Sequence, residues 1–216
     1  MPLNLAQVLN TLAHEIRTPL AVSQGYLKLY LDGRLTNVDD TRRAFEQTRQ
    51  ALGTLATLCV DMGKVSTVSE GAKHGIPERV AASDFIKSLQ AQDEIDGAAW
   101  SGGAGTRAIE TTNARDLAQA FAIVSKAAFD EAREAPRAVR TEAGDGLIVL
   151  AGANDSLAAL EAGPGAPNAR PVDFAKGGKG LKLIWAAFVL DRHHVQTWTV
   201  ADHRASVGFR IPLVQA

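Results

Sequence analysis

The sequence predicts an α+β protein in two parts. Residues 1–68 form an antiparallel helical hairpin that dimerises into a four-helix bundle, and residues 77–216 form an α/β sandwich. Three observations lead there. Apolar residues recur at alternating steps of three and four through two long stretches before residue 65. A segment of Ser, Thr, Gly and Pro with no apolar period occupies 66–77. Beyond it, helical patterns are interleaved with short strand-like runs and glycine turns, the arrangement of helices laid on an antiparallel sheet.

The first helix is predicted from about Leu3 to Leu31. Leu5, Leu9, Leu12, Ile16, Pro19, Ser23, Tyr26 and Tyr30 draw one stripe along it at about 100° per residue. His14 falls nearly opposite that stripe, Thr18 shares its face, and Glu15 sits at the stripe's edge. Pro19 lacks the N–H of an interior helical residue, so a kink is expected beside His14. Residues 32–37 are turn formers, and Thr36 or Asn37 followed by Asp39 and Asp40 supplies a cap and a favourable first-turn charge for a second helix. So short a connection makes the two helices antiparallel neighbours. On the second, Phe45, Thr48, Leu52, Leu55, Cys59 and Met62 keep heptad spacing. A two-helix hairpin cannot bury both seams, which predicts a homodimer.

In the second part, Ser83 is expected to cap a helix from Asp84 to about Gln92, and 97–105 reads as a glycine-rich loop. A strand near Thr106–Glu110 precedes a long helix, Ala114–Ala132, whose Leu117, Phe121, Val124 and Ala128 share a face. Gly144-Asp145-Gly146 joins strands Ala138–Glu142 and Leu147–Ala151 as a hairpin. Residues 163–171 form a loop, a helix covers Gly180–Arg192, and a last hairpin pairs Val195–Val200 with Ser206–Pro212. The sandwich is expected to carry its helices on one face.

Composition narrows the class. The 216 residues are 46% hydrophobic and 22% charged, ordinary for a soluble protein. A formal net charge of -1 gives no electrostatic pull towards nucleic acid or an anionic membrane. No apolar run approaches the roughly 18 residues of a spanning helix, and no signal peptide is visible at the N-terminus. Cys59 is the one cysteine, which excludes an intramolecular disulfide and suits a reducing cytoplasm. Its place in an apolar stripe predicts a buried thiol. His74, His193, His194 and His203 show no metal-ligand spacing and are read as surface or core residues.

His14-Glu15-Ile16-Arg17-Thr18-Pro19-Leu20 resembles, at every position, the His-Glu-x-Arg-Thr-Pro-Leu phosphoacceptor box of the two-component histidine kinases. The resemblance implies that His14 accepts a phosphoryl group, that Glu15 is its neighbouring base, and that Thr18 positions water when a receiver is dephosphorylated. It also implies that Arg17 and Pro19 support docking of a response-regulator receiver domain. A neutral imidazole is a competent nucleophile near pH 7, and a carboxylate on one ring nitrogen would orient the other.

The second part resembles that family's ATP-binding domain in outline and departs from it at the nucleotide. Ile123 and Ala127 stand where the asparagines of the long helix contact Mg²⁺ and phosphates, and Asp130 stands at the usual lysine. A hard cation needs oxygen ligands, which aliphatic side chains cannot offer. Ala151 replaces the aspartate that reads adenine, and Asn154 and Asp155, which follow, read as turn and cap residues. Gly177-Gly178-Lys179-Gly180-Leu181-Lys182-Leu183 keeps most of a glycine box, with Lys182 in place of one glycine. Gly178, Gly180 and Lys182 are therefore the residues expected to retain any nucleotide binding, since a helix beginning there offers N–H groups to an anion.

The expected function is histidine phosphotransfer between His14 and a receiver aspartate, with no cofactor and with receiver phosphatase activity as a further use of Thr18. Two alternatives stand beside it. One is a divergent histidine kinase, for which ATP and Mg²⁺ would be cofactors. The other is a non-catalytic protein that binds receivers or pairs with an active kinase.

Overall fold

The computed structural model describes residues 5–69, 76–132, 135–174, 180–201 and 203–215. Helix α1 (Leu5–Leu31) runs unbroken through Pro19, turns at Asp32 and Gly33, and returns as α2 (Val38–Ser69). Asn37 caps α2: its Oδ1 accepts the Asp40 N–H at 2.7 Å. On α1 the stripe turns inward through Leu12, Ile16, Pro19, Ser23 and Tyr26, but Leu9 and Tyr30 are exposed.

On α2 the inward face is one step round from the expected heptad. Ala44, Thr48, Ala51, Leu58, Asp61 and Val65 are buried, whereas Phe45, Leu52 and Met62 are exposed large side chains. Cys59 is exposed too, not the buried thiol expected. Size explains the choice. Alanine and threonine let α1 approach closely, and the bulky residues are left pointing away from the chain's own core.

The second part is built on a six-stranded sheet. Its strands are β2 (Ala99–Gly102), β4 (Arg137–Ala143), β5 (Gly146–Ala153), β6 (Ala169–Arg170), β7 (Gln196–Val200) and β8 (His203–Pro212), in the order β2-β4-β5-β8-β7-β6. Among the described residues, β2 and β4 are the one parallel pair. A separate ribbon pairs β1 (Glu78–Ala81) with β3 (Ala108–Thr111). Helices α4 (Ala114–Ala132) and α6 (Gly180–Arg192) lie on one face of the large sheet. Helix α3 (Ala82–Gln90) packs beside α4. It begins one residue before the expected cap, so Ser83 lies inside it and no side chain caps it.

Strand alternation sorts the cores. Leu147, Val149, Ala151, Val207, Phe209 and Ile211 face α4 and α6, where Phe121 meets Phe85 edge to face and lies tilted against Phe209, with ring centroids 5.5 and 4.3 Å apart. The opposite face is not bare, as the one-faced sandwich would have it. Short helix α5 (Leu157–Leu160) covers Leu150, Trp198 and Val200 there. Trp198 donates its indole N–H to the Leu160 carbonyl at 3.2 Å, and its ring lies where a Cβ at residue 208 would be, which is why β8 carries glycine there.

The two parts share one core. Leu58 and Val65 of α2 are buried with α4 and α6, and Val8, Leu12 and Ile16 of α1 pack against the same cluster.

His193 ties α6 to the β1–β3 ribbon. A carbonyl only accepts, so Nδ1–H donates to Val189 O at 2.8 Å, and Nε2 accepts from the Thr111 hydroxyl at 2.9 Å and the Thr112 N–H at 3.4 Å. Burial, above all, holds its pKa below the ordinary imidazole value. The unfolded chain, with imidazole near about 6.5, then binds the proton more readily than the folded one. This contribution to stability is whole above about pH 6.5 and is lost as pH falls through the lowered folded value. Thermal melts should therefore show a decline from pH 7 to 5.5 that is shallower in His193→Gln, and parallel declines would refute this role.

Candidate functional site

The site is built at the middle of α1. A helix offers each carbonyl the N–H four residues on, and Pro19 has none to give, so the Glu15 carbonyl lacks its helical donor. His14 is exposed there, with Thr18 exposed one turn later on the same face, and Arg17 is exposed beside them. Of the two residues expected to support docking, Arg17 is exposed and Pro19 is buried. Ser23 holds the stretch after the proline, donating its hydroxyl to the Pro19 carbonyl at 2.9 Å.

Glu15 is half-buried and turns away from solvent towards α6. Its carboxylate accepts the backbone N–H of Leu181, at the start of that helix. Gly180 makes room for it: a Cβ at that residue would lie 2.5 Å from Glu15 Oε1 and 2.8 Å from Oε2. Gly180 also has φ +81°, a backbone region that L side chains rarely adopt. Burial raises the Glu15 pKa above the usual carboxylate value. The Leu181 N–H and nearby His14 pull it down, and Asp61 pushes it up.

Asp61 of α2 is itself buried, with Lys64 Nζ 3.8 Å from its Oδ1. It lines a cleft of about 280 Å³ between α2 and the second part, together with Lys64, Glu94, Gln119 and Lys182. Neither Asp61 nor Lys64 was among the residues expected at the site. The available signal was a carboxylate inside the Ala44-Thr48-Ala51-Leu58-Val65 stripe, where an apolar residue would serve packing better.

Of the glycine-box residues, Gly178 lies outside the described residues. Gly180 faces Glu15, and exposed Lys182 borders the cleft beside Asp61. Ile123 is half-buried among core residues, and Ala151 is fully buried in the sheet. Asp130 lies within 3.5 Å of Lys126, and Asn154 and Asp155 are exposed in the turn after β5. A cavity of about 590 Å³ opens beyond the C-terminal half of α4. Val124, Ala127, Leu183 and Val207 form its apolar wall, and Arg170 and Asp173 are among its polar groups. Among the described residues, no group of three His, Cys, Asp or Glu side chains could hold a metal, and no helix is long and apolar enough to cross a membrane.

The His Kinase A (phospho-acceptor) domain family matches residues 4–67. No curated protein matches the sequence. Among solved structures, the chain is similar to the histidine kinase AdeS of Acinetobacter baumannii, with 17% identity, 93% of this chain and 98% of that one covered, and a TM-score of 0.61. It is similar to histidine kinase ThkA, solved in complex with response regulator protein TrrA, with 15% identity, 94% and 60% coverage and a TM-score of 0.57. Full-length ShkA, solved in complex with AMPPNP, gives 16% identity, 96% and 46% coverage and a TM-score of 0.52. The chain thus spans less than two thirds of the ThkA and ShkA chains, and at these identities the likeness is one of fold. Residues 4–67 thus match the His Kinase A (phospho-acceptor) domain family, and the chain as a whole shares the fold of solved histidine kinases.

Proposed function

We propose that this protein is a histidine phosphotransfer protein, exchanging a phosphoryl group between His14 and a response-regulator aspartate without using ATP. The observation that carries the reading is a contrast. The exposed imidazole and its carboxylate neighbour are complete, and the positions that would hold a Mg²⁺-nucleotide are aliphatic.

A neutral ring nitrogen of His14 attacks the phosphorus of the receiver's aspartyl phosphate. The N–P bond forms as the P–O bond breaks, and the aspartate carboxylate leaves with the electron pair. The proton on the other ring nitrogen is shared with Glu15, which spreads the charge gained by the ring. Run backwards, the same step loads a second receiver. Thr18, on the face of His14, can instead hold a water near a docked receiver's phosphoryl group, which gives phosphatase activity with the same surface.

The residues present do not fit Mg²⁺ and ATP. Ile123 and Ala127 have no oxygen for the cation, and Ala151, 0% exposed, is a methyl group inside the sheet. The first N–H groups of α6, the natural seat for a phosphate, face the Glu15 carboxylate. Phosphoryl transfer from ATP relies on charge neutralisation by the metal, and among the described residues Ile123, Ala127 and Ala151 offer it no side-chain ligand. The protein acts as a homodimer, for which Leu20, Leu27, Phe45, Leu52 and Met62, all exposed on the hairpin, form the shared seam.

The cavity of about 590 Å³ favours a second reading, a divergent kinase that seats a nucleotide in an unusual way. One experiment separates the two. The protein is incubated with radiolabelled ATP and Mg²⁺ and, separately, with a receiver domain labelled through acetyl phosphate. Label on His14 from the receiver and none from ATP is expected, and strong labelling from ATP alone would overturn the proposal.

A further inference from the structure

The helix that in this fold begins at the glycine box ends here on a side chain of the phosphoacceptor helix. Three observations meet at that point. The Leu181 N–H is bonded to the Glu15 carboxylate. Residue 180 is a glycine whose missing Cβ leaves the space that both carboxylate oxygens occupy. Eight residues of α6, from Leu181 to Leu190, are buried in the core, so the end of this helix is a fixed platform.

We propose that Gly180 and the Leu181 N–H are positioning groups for phosphoryl transfer: the start of α6 fixes the carboxylate of Glu15, the residue next to His14 on α1. The inference rests on Glu15 serving as the proton partner of His14. It gives the second part of the chain a task in the reaction that needs no nucleotide.

The physics of the contact is that of a helix cap supplied from another element. The first turn of a helix carries unsatisfied N–H groups and a partial positive charge, which favour a carboxylate. A free glutamate on α1 would sample several rotamers, and losing most of them normally costs entropy at the moment of reaction. Here that ordering is already complete in the folded chain. The charged groups that act on the carboxylate are His14 on α1 and Asp61 on α2, and Asp61 in turn has Lys64 Nζ 3.8 Å away and shares a cleft with Lys182 of α6.

The test uses the full chain and four variants. Gly180→Ala drives a Cβ into Glu15, and Gly180→Asn does so with a residue that tolerates positive φ, which separates collision from backbone strain. Gly163→Ala is the strain control, because Gly163 has φ +79° and open space around it. Glu15→Gln removes the carboxylate and identifies its signal. Two quantities are read: the rate of transfer from a receiver labelled through acetyl phosphate, and the titration midpoint of Glu15 by carboxyl ¹³C NMR.

Displacing the carboxylate from α6 removes the burial that chiefly raises its pKa, so the midpoint should move down towards the ordinary carboxylate value in both Gly180 variants. The transfer rate should fall about 10- to 100-fold with it, and Gly163→Ala should change neither. If the Gly180 variants match Gly163→Ala in rate or in midpoint while Glu15→Gln is slow, the positioning role is overturned and the proton-partner role stands. If Glu15→Gln transfers at the wild-type rate, the proton-partner role itself fails.

Discussion

His14→Gln is expected to reduce phosphoryl exchange with a receiver by about 10⁴-fold or more, to the background of the assay. The magnitude follows from what is removed. The imidazole supplies the nitrogen that bonds to phosphorus, and glutamine, nearly its equal in size, has no nucleophilic nitrogen to take its place. Loss of a covalent nucleophile leaves only proximity and charge stabilisation, which have nothing to act on when no bond can form. Because His14 is exposed and α1 tolerates glutamine well, the melting temperature should stay within a degree or so of wild type. The pair of measurements is decisive: loss of transfer from a labelled receiver, and an unchanged melt. Transfer persisting in His14→Gln would move the phosphoacceptor elsewhere in the chain.

The second large effect belongs to the seam. Leu52, 54% exposed, stands on the outer face of α2 near the middle of the hairpin, with Phe45 and Met62 on the same side. In a four-helix bundle it would meet its own copy across the two-fold axis. Leu52→Glu would then bury two unpaired carboxylates in an apolar seam, at about 4 kcal/mol or more in total, which is about 10³-fold in the dimer dissociation constant. Sedimentation should show twice the mass of one chain for the wild type and a monomer for the variant. A wild-type monomer, or a variant dimer of undiminished affinity, would remove the bundle.

Local chemistry was legible in the sequence, and long-range contact was not. The bounds of α4 and α6 are those that periodicity gave, Ala114–Ala132 and Gly180–Arg192, because long amphipathic or apolar helices announce themselves within their own span. The β4–β5 hairpin was readable from Gly144-Asp145-Gly146, with each strand running a residue or two further at each end than expected. By contrast, β2 hides inside the glycine-rich stretch. Ala99-Trp100-Ser101-Gly102 has no strand pattern of its own and is made a strand by lying parallel to β4, a partner outside any local window. β1 was missed for a related reason, since its four residues pair only with β3, and three of them are exposed.

The site divides the same way. That His14 points to solvent follows from the stripe opposite it. That Glu15 turns to the start of α6 follows from nothing near residue 15. The glycine box suggested an anion at that helix end, and the anion found there is the chain's own side chain. Heptad counting on α2 picked out mainly the outer, exposed apolar side chains and missed most of the inward face, because small residues such as Ala44 and Ala51 weigh little in a hydrophobic pattern although they mark where two helices come closest.

The common core has a practical side for anyone wishing to take the molecule apart. A cut between α2 and β1 looks inviting, since the family match ends at residue 67. The piece released would carry Leu58 and Val65 with no cover, beside the half-covered Val8, Leu12 and Ile16. Such a greasy flank invites aggregation, and the same cut would strip Glu15 of its partner. The boundary seen in composition is not a seam along which the folded protein divides.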